Sequence, residues 1–213
     1  MTTYRRVSPV AFTGKPAETE MRDGWEVVLQ YRDEGPGPHL IDLSHRTKWD
    51  IQDRQLSRLT PLGTAIPDTP GRCAVEGRAL VSRMNRTQAS VWHLWKDAPS
   101  LPETPSFTDI TDGVALLALA GRNVFSILEK TTELDLAAPG GKAPFLVQGP
   151  LLHVPCQIVV LSRQPDEQLV LIGFSRGYGQ SMAEALMEAG SPWGLQPAGE
   201  KAFMAFATVE AAG

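Results

Sequence analysis

The sequence predicts an α+β fold: duplicated strand–helix–strand–strand halves joined through a mostly antiparallel sheet. Three observations predict it. Ile41-Asp42-Leu43-Ser44, followed by Arg54 and an apolar helix face of Leu56 and Leu59, is echoed by Thr108-Asp109-Ile110-Thr111, then Arg122, with Val124, Ile127 and Leu128. The two aspartates are 67 positions apart and the two arginines 68, so one residue separates the copies in length. Apolar residues recur mainly in strand-sized runs, and Gly/Pro clusters break them at hairpin spacing. Two copies are too few for a solenoid, which leaves two pseudo-equivalent halves of one domain.

In chain order, residues 1–20 read as a flexible N-terminal arm, with Gly14, Lys15 and Pro16 in it. Residues 21–205 form the domain, its halves at about 21–98 and 106–205, and 206–213 is a C-terminal tail. Trp25–Tyr31 alternates like a strand and is stopped by Gly35-Pro36-Gly37-Pro38. His39–Leu43 is a short extended run. Lys48–Gln52 puts Trp49 and Ile51 on one face, and Asp53–Leu59 has the spacing of a short helix ended by Pro61. Arg78–Met84 and Ala89–Trp95 make a hairpin around Asn85-Arg86-Thr87. Val114–Ala120 is apolar throughout, as in a buried strand, and Arg122–Lys130 follows as a helix. Pro139–Pro144 is a Gly/Pro loop. Gln157–Ser162 and Gln168–Phe174 form a second hairpin, and Gln180–Glu188 is a helix with Met182, Ala185 and Leu186 inward and Gly190 placed to end it.

The chain has 213 residues, 42% of them hydrophobic, enough to bury a substantial core. Its 24 acidic residues outnumber 20 basic ones, which argues against nucleic acid as a partner. No run approaches the ~18 apolar residues of a membrane span, and Met1–Arg6 is not followed by the apolar stretch of a secretion signal. A cytoplasmic location is the expectation. Cys73 and Cys156 stand in unrelated surroundings and the four histidines are dispersed, so no metal is expected.

Asp42-Leu43-Ser44-His45-Arg46 gathers four chemically active side chains at a strand end. Asp42 and Ser44 recur in the second half as Asp109 and Thr111, which favours a turn-forming role for them. His45 and Arg46 have no counterpart there and remain candidates for proton handling and ligand binding. Gly173, Gly177 and Gly179 precede a helix, but neither a Walker spacing nor a dinucleotide fingerprint is present. A strand-to-helix turn requiring positive φ is the reading preferred for them. Trp92 and Leu94 should share one strand face, as core or as a stacking platform. Cys156 enters an apolar strand and reads as an inert thiol.

These residues carry a resemblance. Leu40-Ile41-Asp42-Leu43-Ser44-His45 is similar to the early Asp-[Leu/Val]-Ser-His segment of the glycine-cleavage T-protein (aminomethyltransferase) superfamily, in its folate-binding domain. Phe107–Asp112 and the strand after it continue the likeness, and Gly194-Leu195-Gln196-Pro197-Ala198-Gly199-Glu200-Lys201-Ala202 resembles the superfamily's Gly-x-x-Pro-Ala-Gly-x-x-Ala run. In length the chain looks most like the gamma subunits of heterotetrameric sarcosine oxidases.

The resemblance implies the folate-binding-domain fold, with tetrahydrofolate as the implied ligand. It also locates departures. The stretch matching the superfamily's Gly-Gly-x-x-Asp-Asp is Arg72–Val81, where Glu76 is the nearby acid. The Arg-x-x-Tyr-Thr-Gly-Glu segment falls near Ser162–Glu167, keeping Arg163 and, displaced, Glu167. The weak catalytic candidates are therefore His45 and Glu76, and the ligand-binding candidates are Arg46, Trp92, Arg163 and Glu167. Loss of both carboxylate motifs points to an accessory module of folate-linked one-carbon or methylamine metabolism, docked on a larger flavoprotein or methyltransferase. The alternatives are a tetrahydrofolate-dependent methyl- or aminomethyltransferase with a rearranged site, and a ligand-free interaction protein retaining the fold.

Overall fold

The computed structural model describes residues 5–95, 97–137 and 142–210, the side chains of 207–210 excepted. Strands β1 (Pro16–Arg22) and β2 (Trp25–Tyr31) pair antiparallel through an Asp23-Gly24 turn in which both residues have positive φ. That two-residue turn is the one whose twist suits a hairpin. β2 turns Trp25, Val27, Leu29 and Tyr31 inward. The segment expected to be a flexible arm is built into the fold over its described part. Val10 is buried, Phe12 packs edge-on against Tyr31 at 6.2 Å, and Pro16–Glu20 are strand. The apolar pair Val10 and Phe12 gives this segment something to bury.

The remaining strands are β3 (His39–Asp42), β4 (Lys48–Gln52), β5 (Cys73–Glu76), β6 (Ala79–Arg83), β7 (Gln88–His93), β8 (Phe107–Asp109), β9 (Val114–Gly121), β10 (Phe145–Leu151), β11 (Val154–Gln164), β12 (Glu167–Ser175) and β13 (Gln196–Ala198). Helices are α1 (Val124–Leu128), α2 (Gly179–Gly190) and α3 (Glu200–Glu210). One sheet has the order β5-β6-β7-β4-β8 and the other β10-β11-β12-β9-β3-β13, antiparallel except for β13 beside β3. The order displays the duplication. Each half supplies four antiparallel strands, β4 to β7 or β9 to β12, and its leading strand crosses to the other half's sheet. Thus β8 pairs with β4, and β3 pairs with β9.

The layers follow from alternation. Leu117, Leu119, Val170 and Ile172 face α1 and α2, while Leu116, Ala118, Leu169 and Leu171 face Leu80 and Trp92 of the five-stranded sheet and Phe203 of α3. β9 is apolar on both faces because both are covered. On the far side of the five-stranded sheet, Trp49, Ile51, Val81 and Val91 are covered by Leu56 and Ile66.

Two expectations are corrected. The helix at Asp53–Leu59 shrinks to single 3₁₀ turns at Leu56–Arg58 and Pro61–Gly63, because so short a segment before a proline cannot repay helix nucleation. The expected tail from residue 206 belongs, through Glu210, to α3. Gly190 ends α2 as expected, at negative φ, and the left-handed residue after the following 3₁₀ turn is Gly194. The Gly/Pro loop at Pro139–Pro144 lies partly outside the described residues. No helix among them is long and apolar enough to cross a membrane.

Candidate functional site

The loop from β3 to β4 lies where the two halves exchange strands. Asp42 Oδ1 accepts the Ser44 N–H at 2.9 Å, and Asp109 Oδ1 accepts the Thr111 N–H at 2.8 Å, so both copies make the same aspartate turn. The turns interlock. Lys48 N–H donates to Thr111 Oγ1 at 3.0 Å, and Leu116 N–H donates to Ser44 Oγ at 3.2 Å. Asp42 Oδ2 also accepts a hydrogen bond from Ser8. The Asp42/Asp109 echo is thereby a folding device.

His45 and Arg46, the pair without a counterpart, converge on Glu200, the first residue of α3. His45 Nε2 lies 2.8 Å from Glu200 Oε1, Arg46 Nη2 pairs with the same oxygen, and Arg22 Nη1 reaches Oε2 at 2.6 Å. The side chains of Arg46 and Glu200 are 1% and 2% exposed, so this is a buried charge cluster. Burial pushes the Glu200 carboxyl up, but the His45 hydrogen bond and the Arg46 and Arg22 charges outweigh it and hold it at about 2. Burial lowers His45, which leaves a neutral imidazole with Nε2–H donating to Glu200. Burial also pulls Arg46 down to about 10, within a range where it stays charged at neutral pH.

Lys48 lies beneath this loop, fully buried, donating Nζ–H bonds to Ser44 O at 2.8 Å and Arg46 O at 2.7 Å. Burial lowers its amine from 10.5 to about 7. A lysine depressed in the folded state binds fewer protons there than in the unfolded chain, so stability should rise as pH climbs above about 7. Each unit of displacement is worth about 1.4 kcal/mol. From about pH 9 upward the thiols of Cys73 and Cys156, pushed to about 11 by burial, oppose the trend. Urea titrations between pH 7 and 9 should therefore show a rising midpoint, and Lys48→Met should flatten that slope.

The other expected site residues do not join this cluster. Trp92 is 1% exposed and packs between the sheets against Gly173, whose added Cβ would sit 2.7 Å from its ring. Glu76 is exposed at the end of β5. Arg163 and Glu167 flank the β11–β12 turn; the register sets that turn at the Gly121 end of β9, whereas Asp42 lies opposite Leu117. The residues expected to surround tetrahydrofolate are therefore dispersed, and the one deeply buried acid among the described residues, Glu200, is occupied by three basic side chains. This arrangement does not fit tetrahydrofolate. Gly173, Gly177 and Gly179 also correct an expectation, since none has positive φ. Gly179 is needed for close approach, with Pro9 2.5 Å from an added Cβ. Both cysteines are free, and their raised thiols are poor nucleophiles.

Glu200, Arg22, Lys48 and Trp25 were missed as site residues. The signal for Glu200 lay inside the Pro197-Ala198-Gly199-Glu200 run, which directly precedes a helix-forming stretch. Two cavities meet at Trp25 and His45, one of about 190 Å³ toward Tyr31 and Asp42, the other of about 250 Å³ toward Trp95 and Asp97.

No family model matches the chain, and no curated protein matches it. Among solved structures it is similar to a chain of the heterotetrameric sarcosine oxidase from Corynebacterium sp. U-96, determined in complex with pyrrole 2-carboxylate. The TM-score is 0.60 at 16% identity, covering 72% of this chain and 83% of that one. Those coverages make the matched chain the slightly shorter of the two. The fold is sarcosine oxidase gamma-like, and at this identity the likeness speaks of fold alone.

Proposed function

We propose that this chain is an accessory subunit of a multi-chain enzyme of one-carbon or methylamine metabolism, seated in the cytoplasm on a larger flavoprotein or methyltransferase. The observation that carries the reading is the fold likeness to a chain of a heterotetramer, extending over most of both chains. The site supports it. General acid–base catalysis needs a group whose proton can be exchanged near neutral pH. Here the buried carboxylate is held at about 2 and serves as the anchor of three basic side chains. What it accomplishes is mechanical: it pins α3 to the β3–β4 loop and to β1.

The test is affinity purification at native expression level, with the mass and visible spectrum of the recovered complex measured. The expected result is a stoichiometric complex with one larger chain, carrying flavin absorbance or methyltransferase activity. Recovery of the chain alone at every salt concentration would overturn the proposal. Tetrahydrofolate added to the isolated chain should leave its melting temperature unchanged. A saturable rise would favour the transferase reading instead.

A further inference from the structure

The cavity of about 190 Å³ beneath the N-terminal segment has acceptors in its wall and no base. Among the described residues that wall carries Asp42 and Glu26, and neither lysine nor arginine. Arg5 answers Glu26 at the rim at 2.9 Å, whereas Asp42 accepts from the Ser44 N–H and the Ser8 hydroxyl and joins no ion pair among the described residues. Two further side chains of the wall are more than nine-tenths buried and keep a polar atom without a partner among the described residues. Tyr31 is 8% exposed, and its hydroxyl, which makes no hydrogen bond, is not closed off from solvent-sized space as the Trp25 indole nitrogen is. The His45 side chain is also 8% exposed, with Nε2–H spent on Glu200, so Nδ1 presents a lone pair. That atom is open in the same way, unlike the sealed Nδ1 atoms of His39 and His93. A carboxylate, an imidazole lone pair and a phenol oxygen around one space call for a donor.

The charges outside the wall do not reverse this. Arg22 and Arg46 are matched by Glu20 and Glu200, and Arg6 by Asp23 and Asp112. Lys48 gives its Nζ–H bonds to two loop carbonyls, with Asp109 as well as Asp42 acting on its charge, and Arg176 donates to Val7 O. Arg6 and Arg176 also lie over the Trp25 ring, 6.0 and 5.6 Å from its centroid. Phe12 and Tyr31 are then the aromatic surface of the wall that meets no cation. Aromatic faces beside acceptors suit a cation with an alkyl body, and three acceptors suit three N–H groups. The volume lies below the roughly 300–1,000 Å³ of sites for drug-sized ligands, which keeps that body short. We propose that this cavity binds a small primary alkylammonium ion, its N–H groups donating to Asp42, His45 Nδ1 and the Tyr31 hydroxyl, its alkyl part against Phe12. The inference stands independently of the subunit reading.

The test titrates the full chain at neutral pH with methyl-, ethyl- and propylammonium chloride, against potassium and tetramethylammonium chloride at matched ionic strength. It follows the backbone amide resonances of residues 10–12 and 27–31, which run along the wall. These should move saturably with the primary amines and stay in place with the two control salts. Potassium has charge alone, and tetramethylammonium has charge and alkyl surface without an N–H. Tyr31→Phe removes an oxygen that no described group uses, so it should leave the melting temperature unchanged and weaken amine binding at least ~10-fold. If that variant melts early, Val28→Phe, at a half-buried position of the wall, narrows the cavity and should weaken binding as much. Immobile wall resonances in the folded chain, an equal response to either control salt, or undiminished binding in the folded variant would each overturn the proposal.

Discussion

Glu200→Gln will lower the stability of this protein by about 3–5 kcal/mol, the cost of removing one partner from a buried ion cluster. The amide keeps the shape of the side chain but abolishes the charge that Arg22 and Arg46 face at close range. Urea unfolding of the variant against the parent measures the difference. The same carboxyl dictates the acid limb of the stability curve. Its folded value of about 2 lies below the ordinary 4.5, so its contribution is complete above 4.5 and disappears as pH falls toward 2. The variant should lack that part of the acid sensitivity. A loss below ~1 kcal/mol would mean that the arginines find solvent or other acceptors, and that the cluster does not hold α3.

Gly199→Ala, one residue earlier, should cost about 3 kcal/mol or more through a different cause. An added Cβ would stand 2.3 Å from the carbonyl carbon and oxygen of Leu29 and 2.5 Å from Gln30 N. These are backbone atoms of β2, a strand fixed by its pairing with β1, so they cannot swing aside as a side-chain tip would. The start of α3 must retreat, which breaks the Gly199 N–H bond to Glu34 Oε1 at 2.7 Å and draws Glu200 away from Arg46. Hydrogen exchange should quicken in α3 well before it does in β9. Gly177→Ala is the matched control, since nothing lies within 4 Å of its added Cβ, and its effect should stay within ~0.5 kcal/mol.

Much of the fold was legible because its signals are local. The apolar run of β9, both hairpins and α2 follow from period and punctuation within a dozen residues. The Asp42/Asp109 echo was legible as a repeat, and its bland meaning as a pair of turns came from the same reasoning. The ribbon of β1 and β2 was missed although Asp23-Gly24 announces it, because the strand before the turn is polar and exposed along nearly its whole length. The site was less legible. His45 and Arg46 could be picked as unrepeated residues, but their partner lies 155 positions away from His45 and is brought in by a parallel strand and a helix. Arg163 and Glu167 were placed by the order of motifs along the chain. Strand register then carried them to the opposite end of the sheet, a displacement that linear order cannot reveal.

The crossing of β3 and β8 between sheets has a consequence for any single copy of the repeated unit. Severed from its twin, a unit would expose the edge of its second strand and carry a first strand with nowhere to pair. Its open edge would match the spare strand of an identical molecule, so it could reach a closed structure only as a reciprocal homodimer. Joining both units in one chain replaces that concentration-dependent encounter with a tethered one, whose effective concentration is set by the linker rather than by the cell.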